Sequence, residues 1–205
     1  TIGRPFVKGI SATTQYELVV TDANGCTAND IVLVHVVKSS LRAEAGVNKQ
    51  YCHGNVTPVV LGGTPTATGG SPVYNYAWTP ATGIIGSTSV ANPSALPDST
   101  TTYYVTVTDA KGCSSVDSVK ITVNPSPLVF AGRDTAVCAG QPVILGTRNF
   151  GYNYAWSPGL YLSSTTLSNP IATPLATTTY TVTATDVNGC TSTSTITITV
   201  RQNPV

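Results

Sequence analysis

Charge is scarce in this chain of 205 residues: ten Lys and Arg and nine Asp and Glu make up 9% of it, with a net charge of +1. Without a basic run there is no face on which phosphates could be followed, so nucleic acid is excluded as a partner. No stretch approaches the roughly 20 apolar residues that a bilayer-spanning helix needs, so the chain is not read as membrane-spanning. His35 and His53 are isolated and no Cys-x-x-Cys pair occurs, which leaves no ligand spacing for zinc. No His, Ser and Asp set recurs in a nucleophile context and no glycine loop could cradle a phosphate, so the chain is read as a non-enzyme without a cofactor. Methionine is absent, and Thr, Val, Ser, Gly and Pro take up the space instead. That composition fits an all-β protein, because β-branched side chains suit pleated, half-buried strands while Gly and Pro punctuate them.

A repeat dominates what is present. TDANGC (Thr21 to Cys26), TDAKGC (Thr108 to Cys113) and TDVNGC (Thr185 to Cys190) each follow an alternating run headed by Tyr16, Tyr103 or Tyr180. Each cysteine is ten residues past its tyrosine and ten before a valine, Val36, Val123 or Val200. Upstream, YAWTP at Tyr76 matches YAWSP at Tyr154, and CHGNVTPVVLG at Cys52 matches CAGQPVILG at Cys138. The spacing is that of small tandem domains, longer than a solenoid repeat.

Within a unit, period-two alternation predicts a hairpin with one buried and one hydroxylated face. In the last copy Tyr180, Val182, Ala184, Ile196, Ile198 and Val200 lie inward and Thr fills the outer positions. The Asp-x-Asn-Gly at the tip suits a turn, Asp and Asn bonding their own backbone and Asn and Gly accepting positive φ. Trp78 and Trp156 are predicted to be core residues on a middle strand, with Tyr16, Tyr103 and Tyr180 as corner residues, as in immunoglobulin-like sandwiches.

Five cysteines are present. Periodicity favours Cys52 with Cys113 and Cys138 with Cys190, leaving Cys26 for a cysteine outside the segment; spacing alone does not fix the connectivity. Bridges of this kind point to an oxidising, extracytoplasmic setting. Asp22, Asp109 and Asp186 are turn residues, whereas Asp30, Asp98, Asp117 and Asp134 occupy positions not shared between units. The one metal reading left is calcium among loop carboxylates, with Asp109 and Asp186 as donors.

VCAGQPVILG, YAWSPGL and LSNP…PLATTTYTVTATDVNGC together resemble the PKD-like and immunoglobulin-like repeats of large surface and secreted proteins of Bacteroidota. The resemblance covers residues 41–203 as two full repeats and residues 4–38 as the back half of another. It implies tandem β-sandwiches arranged as a rod: 1–38 a C-terminal half-domain, 39–124 and 125–203 complete domains. It also implies a cell-surface scaffold exported by the type IX route, an adhesin stalk or gliding-type filament able to associate laterally into a fibre. O-glycosylation follows from the same resemblance, at Asp followed by Ser or Thr and an aliphatic or Thr residue. DST, DSV and DTA make Ser99, Ser118 and Thr135 the candidates.

Short Pro-containing junctions, VNPSP at Val123 and VRQNPV at Val200, suit a stiff array. The chain reads as a window on a longer one, beginning inside a domain. The apolar face of its first hairpin (Leu18, Val20, Val32, Val34, Val36) would then be covered by upstream residues of the same polypeptide or by a strand from a neighbouring subunit. The alternative function is a carbohydrate- or polymer-binding module attached to a secreted hydrolase. Tyr74, Tyr104, Phe150, Tyr152 and Tyr161, in loops or outward strand positions, are its candidate contacts, and the Gly62 to Val73 insertion is the natural place for a ligand.

Overall fold

A computed structural model describes residues 5–36, 39–146 and 148–201. The first unit is a hairpin of β1 (Thr14–Thr21) and β2 (Thr27–Val34), paired antiparallel from Thr14↔Val34 to Thr21↔Thr27. Its alternation is right for a sheet, but among the described residues no second layer lies on it. Leu18, Val20 and Val32 are 61%, 58% and 59% exposed. Tyr16 is half-buried and is not the enclosed core residue expected, because nothing among the described residues covers that face.

The second unit runs β3 (Arg42–Ala43), β4 (Lys49–Cys52), β5 (Val59–Val60), β6 (Ala67–Thr68), β7 (Asn75–Thr79), β8 (Ile84–Ile85), β9 (Ser94–Ala95), β10 (Thr101–Thr108) and β11 (Ser114–Asn124). One sheet has the order β4-β11-β10-β7; short ladders β3-β6 and β5-β9-β8 supply the remaining strands. The third unit repeats this with β12 (Thr135–Cys138), β13 (Val143–Ile144), β14 (Asn153–Ser157), β15 (Ile171–Ala172), β16 (Thr178–Thr185) and β17 (Thr191–Arg201), its main sheet ordered β12-β17-β16-β14. In both, the first long strand runs parallel to the last, the last pairs antiparallel with the one before it, and that strand pairs with the tryptophan strand. This is the immunoglobulin-like sandwich order, present twice in tandem.

The second and third units each bury their own core, and the two cores share no residue. In the second, Tyr103, Val105 and Val107 from β10 and Val119 and Ile121 from β11 meet Leu41, Leu61 and Trp78. In the third, Tyr180, Val182, Ala184, Ile196 and Ile198 meet Leu145 and Trp156. Each buried aliphatic or aromatic side chain contributes about 1.5–3 kcal/mol relative to staying in water. The polar ends of the large aromatics are matched in both units. Trp78 Nε1 donates to Val90 O at 3.0 Å and Trp156 Nε1 to Leu167 O at 2.9 Å. Tyr103 Oη donates to Thr82 O at 2.7 Å and Tyr180 Oη to Leu160 O at 3.0 Å. Burial, with Tyr51 alongside, pushes the Tyr103 phenol up to about 12, so it stays a neutral donor. These four are the core residues expected of Trp78, Trp156, Tyr103 and Tyr180.

The outward faces carry hydroxyls. Across β16 and β17, Thr179↔Thr197, Thr181↔Thr195, Thr183↔Thr193 and Thr185↔Thr191 stand directly opposite one another. Thr179 and Thr197 hydroxyls are 3.0 Å apart. The register of the repeat extends into the first hairpin: Thr13, Thr100 and Thr177 each accept, through Oγ1, the amide of the valine 23 residues on. The expected boundaries at residues 38 and 203, and residues 1–4, lie outside the described residues.

Candidate functional site

The repeated six residues build one object three times. Asp22 Oδ1 accepts the amides of Asn24 and Cys26, both at 2.9 Å. Asp109 Oδ1 does the same for Lys111 and Cys113 at 2.9 Å, and Asp186 Oδ1 for Asn188 at 2.9 Å and Cys190 at 2.8 Å. In each copy the Gly amide returns to the Asp carbonyl and the Asp amide to the Cys carbonyl. Only the glycine needs a left-handed backbone, at φ 85°, 79° and 79° for Gly25, Gly112 and Gly189. The residue before it has negative φ, contrary to the expectation for Asn, which is why Lys111 can stand in the second copy. The result is a stiff turn that holds a cysteine at one pole of its unit.

The other cysteine of each unit lies at the opposite pole. Cys52 ends β4 opposite Asn124, the last residue of β11, and Cys138 ends β12 opposite Arg201. Cys113 and Cys190 stand immediately before the first residues of β11 and β17. Eleven-residue strands therefore separate the two cysteines of a unit, a span of about 35 Å. A disulfide tolerates a Cα separation of no more than about 7 Å. The pairings Cys52–Cys113 and Cys138–Cys190 are thus overturned. Instead Cys52 bonds Cys190, with Cα atoms 5.4 Å apart, joining the exit pole of the second unit to the hairpin tip of the third. Cys26, Cys113 and Cys138 are free thiols. At the same junction His53 N donates to Asn124 O at 2.7 Å, which continues the β4 ladder to the start of the linker.

The calcium expectation finds no donor set. Asp109 and Asp186 sit on tips of different sandwiches, and among the described residues no three His, Cys, Asp or Glu side chains gather as metal ligands. Asp109 is fully engaged, its second oxygen accepting the Ser71 amide at 2.9 Å. The Ser71 amide first, then those of Cys113 and Lys111, hold its carboxyl below the usual range against the opposing effect of burial.

Two acids thought peculiar to single units turn out to have counterparts. Asp134 Oδ1 accepts Thr197 N at 2.7 Å, as Asn48 Oδ1 accepts Lys120 N at 2.8 Å. Asp117 Oδ2 accepts Ala45 N at 2.7 Å, as Ser194 Oγ accepts Ala131 N at 3.1 Å. Side-chain oxygens of different type fill the same slot, so identity matching alone misses them. The hydroxyl-bearing neighbours Ser99, Ser118 and Thr135 are all exposed.

The insertion in the second unit is not an open loop. It forms β6 against β3, Thr66 is buried and donates towards Gly63 O and Ala91 O, and Ala110 N donates to Ser71 O. Tyr74 is tied by its hydroxyl to Gly69 O at 2.6 Å. Tyr104 is 49% exposed on the outer face of β10 and Tyr161 adopts φ 62° on its loop; neither joins another candidate aromatic. Phe150 and Tyr152 do come together, stacked at 5.8 Å, with Tyr154 beyond at 6.3 Å. The depression beside them, lined by Phe130, Arg148, Phe150 and Trp156, holds about 10 Å³, room for one water at most. Beside these aromatics a sugar ring would lie on the strip, since this depression is too small to take it.

No family model matches the chain, and no curated protein matches it. Solved structures that match include the insect immune protein hemolin, at 17% identity and TM-score 0.44 over 91% of this chain and 56% of that one. Another is the protocadherin gamma B7 fragment of extracellular cadherin domains 1-4, at 12% identity and TM-score 0.37 over 94% and 59%. A third is the DIP-gamma IG1+IG2 fragment, at 12% and 0.40 over 77% and 95%. The chain thus spans under two thirds of the first two. With these three scores below 0.5, strand order and register carry the fold assignment.

Proposed function

We propose that the chain is a non-catalytic spacer, a stalk or filament segment of a large extracellular surface protein of the adhesin kind. The observation that carries the reading is the Cys52–Cys190 bond, which fastens one sandwich to the next across their junction. A binding domain has no need to be clamped to its neighbour, whereas a spacer gains stiffness by it. A disulfide also suits an oxidising compartment outside the cytoplasm. On this reading residues 1–38, 39–124 and 125–203 are successive domains of a rod that can pack laterally into a fibre. Type IX export, and glycans on Ser99, Ser118 or Thr135, belong to the same proposal through the resemblance to Bacteroidota repeats. Small-angle scattering of the chain before and after mild reduction tests it. A longest dimension that becomes broadly distributed on reduction supports a clamped spacer, and an unchanged distribution refutes it.

A second reading, glycan or polymer binding, has one observation in its favour, the stacked Phe150 and Tyr152. Cellulose or glycan-array binding that disappears in F150A/Y152A, with the melting temperature kept, would establish it. Failure of the unmodified chain to bind any polymer would remove it.

A further inference from the structure

Three thiols are left over, and the bond that does form says what they are for. Cys138 is the third-unit counterpart of Cys52: both close an Ala-Gly-x5-Cys segment, and both end a strand lying parallel to the last strand of its unit. Cys113 and Cys26 are the counterparts of Cys190, each held by the same two-amide turn on an aspartate. Within its own unit neither class can reach the other, for the reason of strand length given above. Cys26 and Cys138 are exposed and Cys113 is half-buried, so all three thiols are open to a partner.

We infer that the staple is a repeating device, in which the strand-end cysteine of each unit bonds the hairpin-tip cysteine of the unit that follows. Cys138 therefore takes a tip cysteine of an Asp-x-x-Gly-Cys turn, and Cys113 and Cys26 each take the strand-end cysteine of a preceding unit. The partner is another repeat of this kind, either in the same polypeptide or in a second copy of this chain. Closure needs a disulfide oxidant, glutathione disulfide in the test tube or the active-site disulfide of an oxidoreductase in the cell. One thiolate displaces a thiol from the oxidant, and the second attacks the mixed disulfide. The S–S bond forms, and the oxidant leaves as two thiols carrying the two electrons and two protons. The inference rests on the observed connectivity and the repeat, and holds whether or not the protein serves adhesion.

Trypsin puts the five cysteines on five separate peptides, residues 9–38, 50–111, 112–120, 134–148 and 149–201. The experiment is non-reducing peptide mapping of the native protein, isolated from the cells that make it with N-ethylmaleimide present from lysis onward. Peptide 50–111 is expected on 149–201, and 134–148 on a peptide other than 149–201 that contains an Asp-x-x-Gly-Cys tip. If that tip is residues 9–38 or 112–120, the partner is a second copy; if its sequence is foreign to this chain, the partner is a further repeat. Cys138 recovered as the maleimide adduct, joined to 149–201, or bonded to a cysteine outside such a turn overturns the inference.

Discussion

Pulling the chain from its two ends gives the most direct reading of how its units are joined. The Cys52–Cys190 bond spans 138 residues, and its Cα atoms are 5.4 Å apart in the folded state. Force applied at the termini runs through the sulfurs and bypasses residues 53–189, loading only what flanks them: the first hairpin, β3 and β4 before Cys52, and β17 after Cys190. At about 3.5 Å per extended residue, ~480 Å of contour is locked behind one bond. Bridges within units would instead hide loops of about 60 and about 50 residues, or ~210 and ~180 Å. The assay is optical-tweezers unfolding of single molecules with the remaining thiols blocked, first oxidised and then with a phosphine reductant. Reduction is expected to add ~480 Å, released only then, whereas the oxidised chain gives no more than the short extensions of the first hairpin, β3–β4 and β17 peeling away. Cys190→Ser should behave as the reduced chain without any reductant. If the oxidised chain already gives two full unfolding events, or if reduction adds separate steps near 200 Å, the joining described here is wrong.

Trp156→Ala removes a buried indole and strands the Leu167 carbonyl that it serves, and is expected to cost about 3–5 kcal/mol in urea denaturation of the third sandwich. Tyr103→Phe removes only the hydroxyl that bonds Thr82 O and should cost about 1–2 kcal/mol, while Tyr104→Phe on the exposed face should stay within about 0.5 kcal/mol. Asp109 has its carboxyl held low by the Ser71, Cys113 and Lys111 amides. A depressed folded-state value means the stabilisation is present above the ordinary aspartate pKa of about 3.9 and is lost as pH falls through the folded value. Melting of the second sandwich should therefore drop steeply below that pH in the wild type and less so in Asp109→Asn, measured by calorimetry.

The long hairpins were legible because β16 and β17 alternate without a break, and a face of Tyr180, Val182, Ala184, Ile196 and Ile198 can go only inward. Trp78 and Trp156 were legible for the same reason, each on a strand with a repeated flank. The two-residue strands β3, β5, β6, β8, β9, β13 and β15 were not, since they are too short to show a period and exist only through their partners. The cysteine pairing went astray at a definite step. Repeat spacing groups cysteines by class but is silent on where along the unit each class lies. The missing information was the parallel pairing of the first strand with the last, which sends Cys52 to the far end from Cys113. The Asx turn was visible in its aspartate and glycine, while the equivalence of Asp117 with Ser194 depends on oxygen position and not on residue type.

The facing threonines of β16 and β17 bear on the medium in which this protein can work. Ionic strength acts on proteins chiefly by screening charge, over about 10 Å at 0.1 M and about 3 Å at 1 M. A face made of Thr179, Thr181, Thr183, Thr185 and their partners across the ladder has no charge to screen and nothing to titrate. Hydroxyl meets hydroxyl or water equally well in dilute and in concentrated salt. With nineteen formal charges in all, little of this surface responds to screening as ionic strength changes. The pairing of these two strands is thereby uncoupled from charge screening, so a change of ionic strength leaves this ladder as it was.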